Sequence, residues 1–543
     1  MMGRTFVYNT GNPLPESPGT LKLTYGVFFD GTLNNRENTE IRKKVEKKGE
    51  FRMASASEEE YKIYKDYAKE DNSFGNDFTN VARKYMCTDR INYSIYVEGI
   101  GTIDKKNDVG DGYKYGRGKT GVVGKVRNGC KTLAERIFII AKENNLLEEI
   151  ELTLDIFGFS RGAAAARNFA YNLQMDAYPP NTYYPPVQGA QKIEVDHEKS
   201  EFVAIERSWL KDGKLPKFGH LGTALLQAGL SRDLIDSMTV IVRFIGIYDT
   251  VASYDPTCLL LPNFRKKIEQ LHLHEIGSPK KAVHFTAADE HRKNFALTRF
   301  SQVKLRTGIE RSFPGVHSDI GGSYNHDALT AVELSKEKVQ PDPIKGVSEK
   351  EEIDLQVTYT RGGSQSLHDK LIAEGWYKKE QLAVEPRFNY VLCGRRYLYR
   401  GYSFIPLHFM CDYALPYLNE EKKDNLKYQK LMEVYALGDE FLENVKAYLQ
   451  KHCIEKNETW ELKRKYQVSE EAMDETAPKS SLFNNNEPTY QGEKLEEVVI
   501  TGYRSDYLLR RLRNRYLHQS AKYNSFSDYL ANAPTNNRKR SVF

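Results

Sequence analysis

The run Leu152-Thr-Leu-Asp-Ile-Phe-Gly-Phe-Ser160-Arg-Gly162-Ala-Ala-Ala-Ala166 decides the fold, because an apolar, strand-like segment ends in Gly-x-Ser-x-Gly and passes at once into small helix-forming residues. That order is the signature of a nucleophile elbow, a sharp strand-to-helix turn that lifts a serine above the end of a sheet. A serine hydroxyl is a weak nucleophile, so it must project where a base can reach its proton and backbone amides can hold an oxyanion. Gly158 and Gly162 leave room for the turn, and the alanines let the next helix start close against the strand. Ser160 is the candidate nucleophile; a glycine-lined packing turn is the alternative.

Outward from the elbow, apolar and β-branched runs read as strands at Leu21 to Phe29, Asn92 to Val97, Glu151 to Phe157, Thr239 to Tyr248, Lys281 to Ala287 and Ile309 to Phe313. Helical stretches alternate with them. The clearest runs from Val122 to Asn144, where Val126, Leu133, Ile137, Ile140 and Ala141 keep to one face. The pattern predicts an α/β chain with a mostly parallel sheet flanked by helices, large insertions and a helical C-terminal part.

The expected organisation is a catalytic core over residues 1–335, interrupted near 36–76 by a charge-dense, exposed excursion and near 175–212 by an irregular, Pro- and Tyr-containing segment with the position of a lid. A helical and loop-rich layer over 336–468 follows, with helices expected at Leu355 to Tyr377 and Asp424 to Lys451. Residues 469–494, poor in apolar side chains, read as a linker. Residues 495–543 then read as a basic tail separate from the core, carrying Leu508-Leu-Arg-Arg-Leu-Arg-Asn-Arg515 and Arg538-Lys-Arg540. Such a tail is either solvated or a docking or membrane-surface helix.

Composition narrows the function classes. The chain of 543 residues carries 79 basic against 74 acidic residues, a formal charge of +5, which gives no argument for a nucleic-acid partner. Cys87, Cys130, Cys258, Cys393, Cys411 and Cys453 are far apart and form no Cys-x-x-Cys, so no zinc site or disulfide framework is expected. No cofactor is expected either. The opening residues lack a basic flank followed by an apolar core, so no secretory signal is read there. The most apolar window, Met238 to Val251, is broken by Arg243 and Asp249 and is too short to span a bilayer.

A hydrolytic serine needs an imidazole to take its proton and a carboxylate to orient that imidazole, in the order Ser, acid, His along such a chain. Asp249 ends the most strand-like run of the sequence and is held rigidly there, whereas Asp255 and Asp289 lie farther into loops or helix starts. Among His284, His291, His317 and His326, His317 opens a glycine-rich loop after a strand, in Phe313-Pro-Gly-Val-His317-Ser-Asp-Ile-Gly-Gly322. His284 reads as a core residue. The remaining histidines stand in polar or distal contexts. Asp319 is a rival acid that could instead brace the glycine loop. The oxyanion donors expected are the amide of Arg161 and the loop carrying Gly31 and Thr32.

Other readings fare worse. Gly116-Arg-Gly118-Lys119-Thr120 lacks the glycine a phosphate loop needs at position 113, which is Tyr113. A metal-assisted hydrolase would have to draw on Asp30, His317, Asp319 and His326. A structural component of a secretion apparatus with a degenerate hydrolase core is the non-enzymatic alternative, and a serine esterase on another ester the enzymatic one.

The blocks Tyr25-Gly-Val-Phe-Phe-Asp30-Gly-Thr-Leu-Asn-Asn35, Gly158-Phe-Ser-Arg-Gly-Ala-Ala164, Gly246-Ile-Tyr-Asp249-Thr-Val, Ala288-Asp-Glu-His-Arg292 and Phe313 to Gly322 together carry a resemblance. The chain resembles the α/β-hydrolase-like phospholipases of the type VI secretion lipase effectors, first group, over about its first 330 residues. The resemblance implies a nucleophile at Ser160, an acid at Asp249 and a base at His317. It also implies a membrane phospholipid substrate cleaved at its fatty-acid esters, phospholipase A chemistry, a cognate immunity protein, and carriage on a type VI spike or tube from the producer's cytoplasm into the target envelope. Leu495 to Tyr503 resembles a short sequence of Bacteroidota surface and secreted proteins, from which a loading or sorting role for the tail is expected, with deletion of residues 493–543 abolishing delivery and leaving hydrolysis intact.

Overall fold

Neighbouring residues along the strands feed opposite apolar layers: Phe28 and Phe157 belong to one buried cluster, Val27, Phe29 and Ile156 to the other. Strands buried on both faces belong in a parallel sheet covered by helices. The computed structural model describes residues 19–46, 55–69, 72–90, 92–143, 147–180, 182–183, 193–195, 202–252, 268–300, 308–324, 352–359, 361–386, 390–396, 398–419, 426–463, 497–520 and 538–543. Strands β1 (Thr20–Phe29), β2 (Ser94–Val97), β3 (Glu149–Phe159), β4 (Thr239–Tyr248), β5 (Lys281–Ala287) and β6 (Gly308–Phe313) form a six-stranded sheet in the order β2-β1-β3-β4-β5-β6. Every pairing in it is parallel.

The register sets where function can sit. Phe29 lies opposite Gly158, Phe159 opposite Tyr248, Tyr248 opposite Phe285 and Ala287 opposite Phe313, so five strands finish on one edge. Ligands of such sheets bind outside the carboxyl ends of the strands. On one face lie α1 (Val122–Lys142), α2 (Arg161–Asn172) and α3 (Gly219–Ala228). A short helix, α4 (His317–Gly321), follows β6. The other face is covered by the helix Asn80–Met86, by α5 (Phe404–Leu418) and by Leu508, Leu509 and Leu512 of α6 (Glu497–Arg515).

That last placement corrects the expectation of a separate tail. Burying one leucine contributes about 1.5–3 kcal/mol, so three of them bind α6 to the core far more firmly than surface charge pairs at about 0–1 kcal/mol each. The helix is also capped by a cation. Arg396, 1% exposed, donates to the carbonyls of Arg513 (2.7 Å) and Leu517 (2.8 Å), where the helix leaves oxygens unpaired and its dipole is negative. Residues 538–543 are docked as well, along Leu297 to Arg299.

The layer after residue 336 also differs. Where a helix was expected from Leu355, β7 (Glu352–Tyr359) pairs antiparallel with β9 (Tyr390–Arg396), which also holds β8 (Leu382–Pro386). The helix begins only at Arg361. Ile353-Asp-Leu-Gln-Val-Thr-Tyr359 alternates apolar and polar residues, the period of a half-buried strand. The segment 36–76 is not wholly an exposed excursion, since the helix Arg36–Val45 buries Ile41, Arg42 and Lys43, and Phe74 is fully buried. Lys43 pairs with Asp77 at 2.6 Å and Arg42 donates to the Phe74 carbonyl, which explains how a charge-dense stretch lies against the core. The expected linker 469–494 lies outside the described residues, as do 181, 184–192 and 196–201 of the lid-like stretch 175–212.

Candidate active site

Ser160 follows β3 directly and caps α2, with φ 59° and ψ −128°, a conformation an ordinary residue holds only at a cost of about 1–3 kcal/mol. Two glycines permit it. A Cβ on Gly158 would stand 2.6 Å from the Gly162 carbonyl oxygen, and one on Gly162 would stand 2.2 Å from the Asp30 carbonyl oxygen. The elbow therefore touches the loop after β1. The Ser160 amide donates to the Tyr248 carbonyl (3.1 Å), continuing the ladder by one step, so Ser160 and Asp249 stand side by side at the ends of β3 and β4.

Asp249 has positive φ as well, 43°, and is fully buried. Its backbone amide donates to the Phe285 carbonyl (2.7 Å). The carboxylate is saturated: Oδ1 accepts from the Ala287 amide (2.8 Å) and Arg540 (2.7 Å), Oδ2 from Arg540 (2.8 Å) and His317 Nδ1 (2.5 Å). Burial alone would push this carboxyl up, but Arg540 and His317 outweigh it and hold it well below the ordinary carboxylate range.

His317 opens α4 with its ring between Phe159 (centroids 4.6 Å apart) and Phe295 (5.0 Å). Its amide donates to Glu290 Oε2 (3.1 Å), and Glu290 is itself clamped by Arg292 (2.7 Å). Burial lowers the imidazole pKa below its usual value, only partly offset by Asp249. The ring is then neutral at neutral pH. With Nδ1–H directed to Asp249, Nε2 is the basic nitrogen. No hydrogen bond joins Ser160 to His317 among those described, and such bonds often tighten only when substrate is in place.

The three expected oxyanion donors divide. Arg161 and Thr32 are brought together, Arg161 Nε donating to Thr32 Oγ1 (2.7 Å). Gly31 is not available as expected, because its amide donates to Asp30 Oδ1 (2.7 Å). Asp30 is buried, receives the hydroxyls of Thr79 (2.6 Å) and Tyr96 (2.5 Å), and is pushed up to about 6 by desolvation that these bonds only partly offset.

The rival acid Asp319 makes no described hydrogen bond to the base. It bonds His518 instead, Nδ1 to Oδ1 at 2.6 Å, and its Oδ2 accepts from the amides of Val316 (2.9 Å) and His518 (3.0 Å). The candidate metal ligands Asp30 and Asp319 are thus engaged by other groups, His326 lies outside the described residues, and no His/Cys/Asp/Glu group suited to a metal occurs among the described residues. His284 is a core residue, held by Glu310 (2.9 Å) and Thr250 (3.2 Å). Glu290, Arg540 and His518 escaped the sequence reading. Glu290 stood in a block already recognised, so its signal was present; the other two sat in the supposed tail.

The catalytic-domain family of Tle1-like phospholipase effectors of the type VI secretion system matches residues 26–339. The chain belongs to this family. The match runs from Gly26, within β1, past α4, and takes in Ser160, Asp249, Glu290 and His317 but not Arg540. This Tle1-like chain is also similar to a solved Tle1 effector bound to the VgrG spike of the type 6 secretion system, at 18% identity and TM-score 0.48, covering 97% of this chain and 94% of that one. An uncharacterized protein from Pseudomonas aeruginosa is similar at 16% identity and TM-score 0.30, over 59% of this chain and 43% of the other. No curated protein matches. No described helix is long and apolar enough to cross a membrane.

Proposed function

We propose that this phospholipase effector is a serine enzyme of the A type, cleaving ester-linked fatty acids from the phospholipids of competing bacteria. The observation that carries the serine mechanism is the buried Asp249–His317 contact of 2.5 Å beside the strained Ser160 turn. Family membership supports the lipid class. His317 Nε2 takes the proton of Ser160 as its oxygen attacks the acyl carbonyl, and Asp249 stays ionised and stabilises the imidazolium. The amides of Thr32 and Arg161 hold the tetrahedral oxyanion. His317 then protonates the departing lysophospholipid oxygen, and afterwards deprotonates the water that releases the fatty acid and restores Ser160. Carriage on a spike protein and neutralisation by an immunity protein in the producer complete the reading.

The test is release of fatty acid and lysophospholipid from mixed phospholipid vesicles, by the parent chain and by Ser160→Ala, with and without chelator. Ser160→Ala should lower release by about 10³-fold or more, with chelator without effect. The position of the lost acyl chain assigns A1 or A2. Release that survives in Ser160→Ala would overturn the serine mechanism, and release that stops with chelator would point to a metal.

A further inference from the structure

We infer that Arg540, delivered by the docked segment Arg538–Phe543, is a positioning residue for the active site: it fixes the Asp249 carboxylate in the plane that His317 needs and supplies its counter-charge. The inference rests on the serine reading above and extends it to a part of the chain outside the matched family region, which ends at residue 339.

The attachment begins with backbone. Leu297 donates to the Ser541 carbonyl (2.9 Å), Phe543 to the Leu297 carbonyl (2.8 Å), and Arg299 to the Phe543 carbonyl (2.8 Å), a short parallel ladder. On its other side Leu297 bridges Val251, and Thr298 donates to the Thr250 carbonyl (3.0 Å). The segment is therefore tied, through one intervening strand-like stretch, to the residues that immediately follow Asp249. From this ladder Arg540 turns inward, its side chain 6% exposed. Nε donates to the Phe295 carbonyl (2.6 Å), Nη1 to Asp249 Oδ1 (2.7 Å) and Nη2 to Asp249 Oδ2 (2.8 Å).

The fork does two things. A guanidinium and a carboxylate that meet bidentately are coplanar, so the plane of Asp249 is set by a partner that is itself anchored at Nε. With the Ala287 amide on Oδ1, one position remains on Oδ2, and His317 occupies it. The fork also places a cation against a fully buried carboxylate, the state that burial most disfavours. Of the influences that oppose burial at Asp249, the charge of Arg540 is the largest single one. A simple anchor for the chain end would need only the backbone ladder and Phe295. Here both terminal nitrogens of the guanidinium are committed to the candidate catalytic acid.

The test uses the full chain and two readouts: vesicle hydrolysis, and the rate at which Ser160 is labelled by a fluorophosphonate, which reports the activated serine without a lipid. Arg540→Ala should lower kcat and the labelling rate by about 10²-fold with KM little changed, and should move the acidic limb of the rate profile to higher pH, because Asp249 loses the cation that keeps it ionised. Added guanidinium should restore part of the rate, while sodium at equal ionic strength should not. Arg540→Lys, which keeps charge but not the fork, should recover less than guanidinium. Phe543→Pro controls for docking: it removes the amide that donates to the Leu297 carbonyl and should lower activity in step with the labelling rate without shifting the pH limb once activity is normalised. Ser160-dependent hydrolysis and labelling that stay within twofold of the parent in Arg540→Ala overturn the inference. So does a loss that appears in KM alone, or one that guanidinium cannot touch and that matches a fall in melting temperature. Labelling without vesicle hydrolysis in the parent would overturn the lipid substrate and leave the Arg540 comparison readable; absence of labelling at Ser160 overturns both.

Discussion

Two buried acid–imidazole pairs lie two residues apart along the same short helix, and they differ in what else the acid touches. Asp249 meets His317 at 2.5 Å and is gripped by a guanidinium; Asp319 meets His518 at 2.6 Å and otherwise receives two amides. Arg540 holds the first carboxyl well below its ordinary range, whereas desolvation pushes the second well above it. The distance between acid and imidazole is almost the same in both. The charge state of the acid is set by its remaining partners, and only an ionised acid can stabilise an imidazolium in a reaction. The second pair instead joins the segment just after α6 to α4, with the His518 ring stacked on Tyr324 at 3.5 Å.

The largest effect expected from this contrast comes from replacing each acid by its amide. In Asp249→Asn an NH₂ must face donors on every side, forcing the wrong imidazole tautomer, and kcat for vesicle hydrolysis should fall about 10⁴-fold. In Asp319→Asn the NH₂ takes the place of the carboxyl O–H toward His518, and kcat should stay within tenfold. Equal losses in the two variants would break the comparison.

A smaller effect is expected in stability. His518→Ala leaves Asp319 buried without its ring partner and should cost about 1–3 kcal/mol in denaturant unfolding, with kcat changed little at temperatures where the chain stays folded. The pH dependence sharpens the distinction further. Asp249, with its folded pKa lowered, contributes stability above the ordinary carboxylate value that is lost as pH falls below it. Asp319, with its folded pKa raised, favours folding when protonated, and that contribution declines as pH rises past the same value. Asp30 behaves like Asp319, over a window from 3.8 to about 6. Melting temperatures followed from pH 4 to 7 should decline less steeply in Asp319→Asn and in Asp30→Asn than in the parent; slopes that do not change would mean these acids are ionised.

How much of this could be read from the sequence follows from how local each feature is. The strands were legible because each is a short apolar run closed by a turn, and the placement of Asp249 and His317 because each follows such a run at the carboxyl edge of the sheet. Ser160 carried its own glycine spacing. Beyond residue 336 the signals weakened. β7 shows its period over only a few residues before a helix begins. Arg538-Lys-Arg540 has the composition of a solvated tail, and nothing local marks one arginine as the partner of a carboxylate 291 positions away. His518 was passed over for the same reason, since its acid lies 199 positions before it. Deletion of residues 493–543 removes the leucines of α6, His518 and Arg540 together, so the outcome now predicted for vesicle hydrolysis is loss, in place of the survival expected from the sequence.

The separation of Asp249 from Arg540 has a consequence in time. Chains are synthesised from the amino end at about 5–20 residues per second, so Asp249 emerges roughly 15 to 60 s before its counter-charge, 291 positions further on. A ribosome-bound chain of this effector, or one broken off short of residue 540, holds the candidate nucleophile, acid and base but not the guanidinium that grips Asp249. On the reading proposed above, the producing cell therefore meets the clamped site only after residue 540 has left the ribosome.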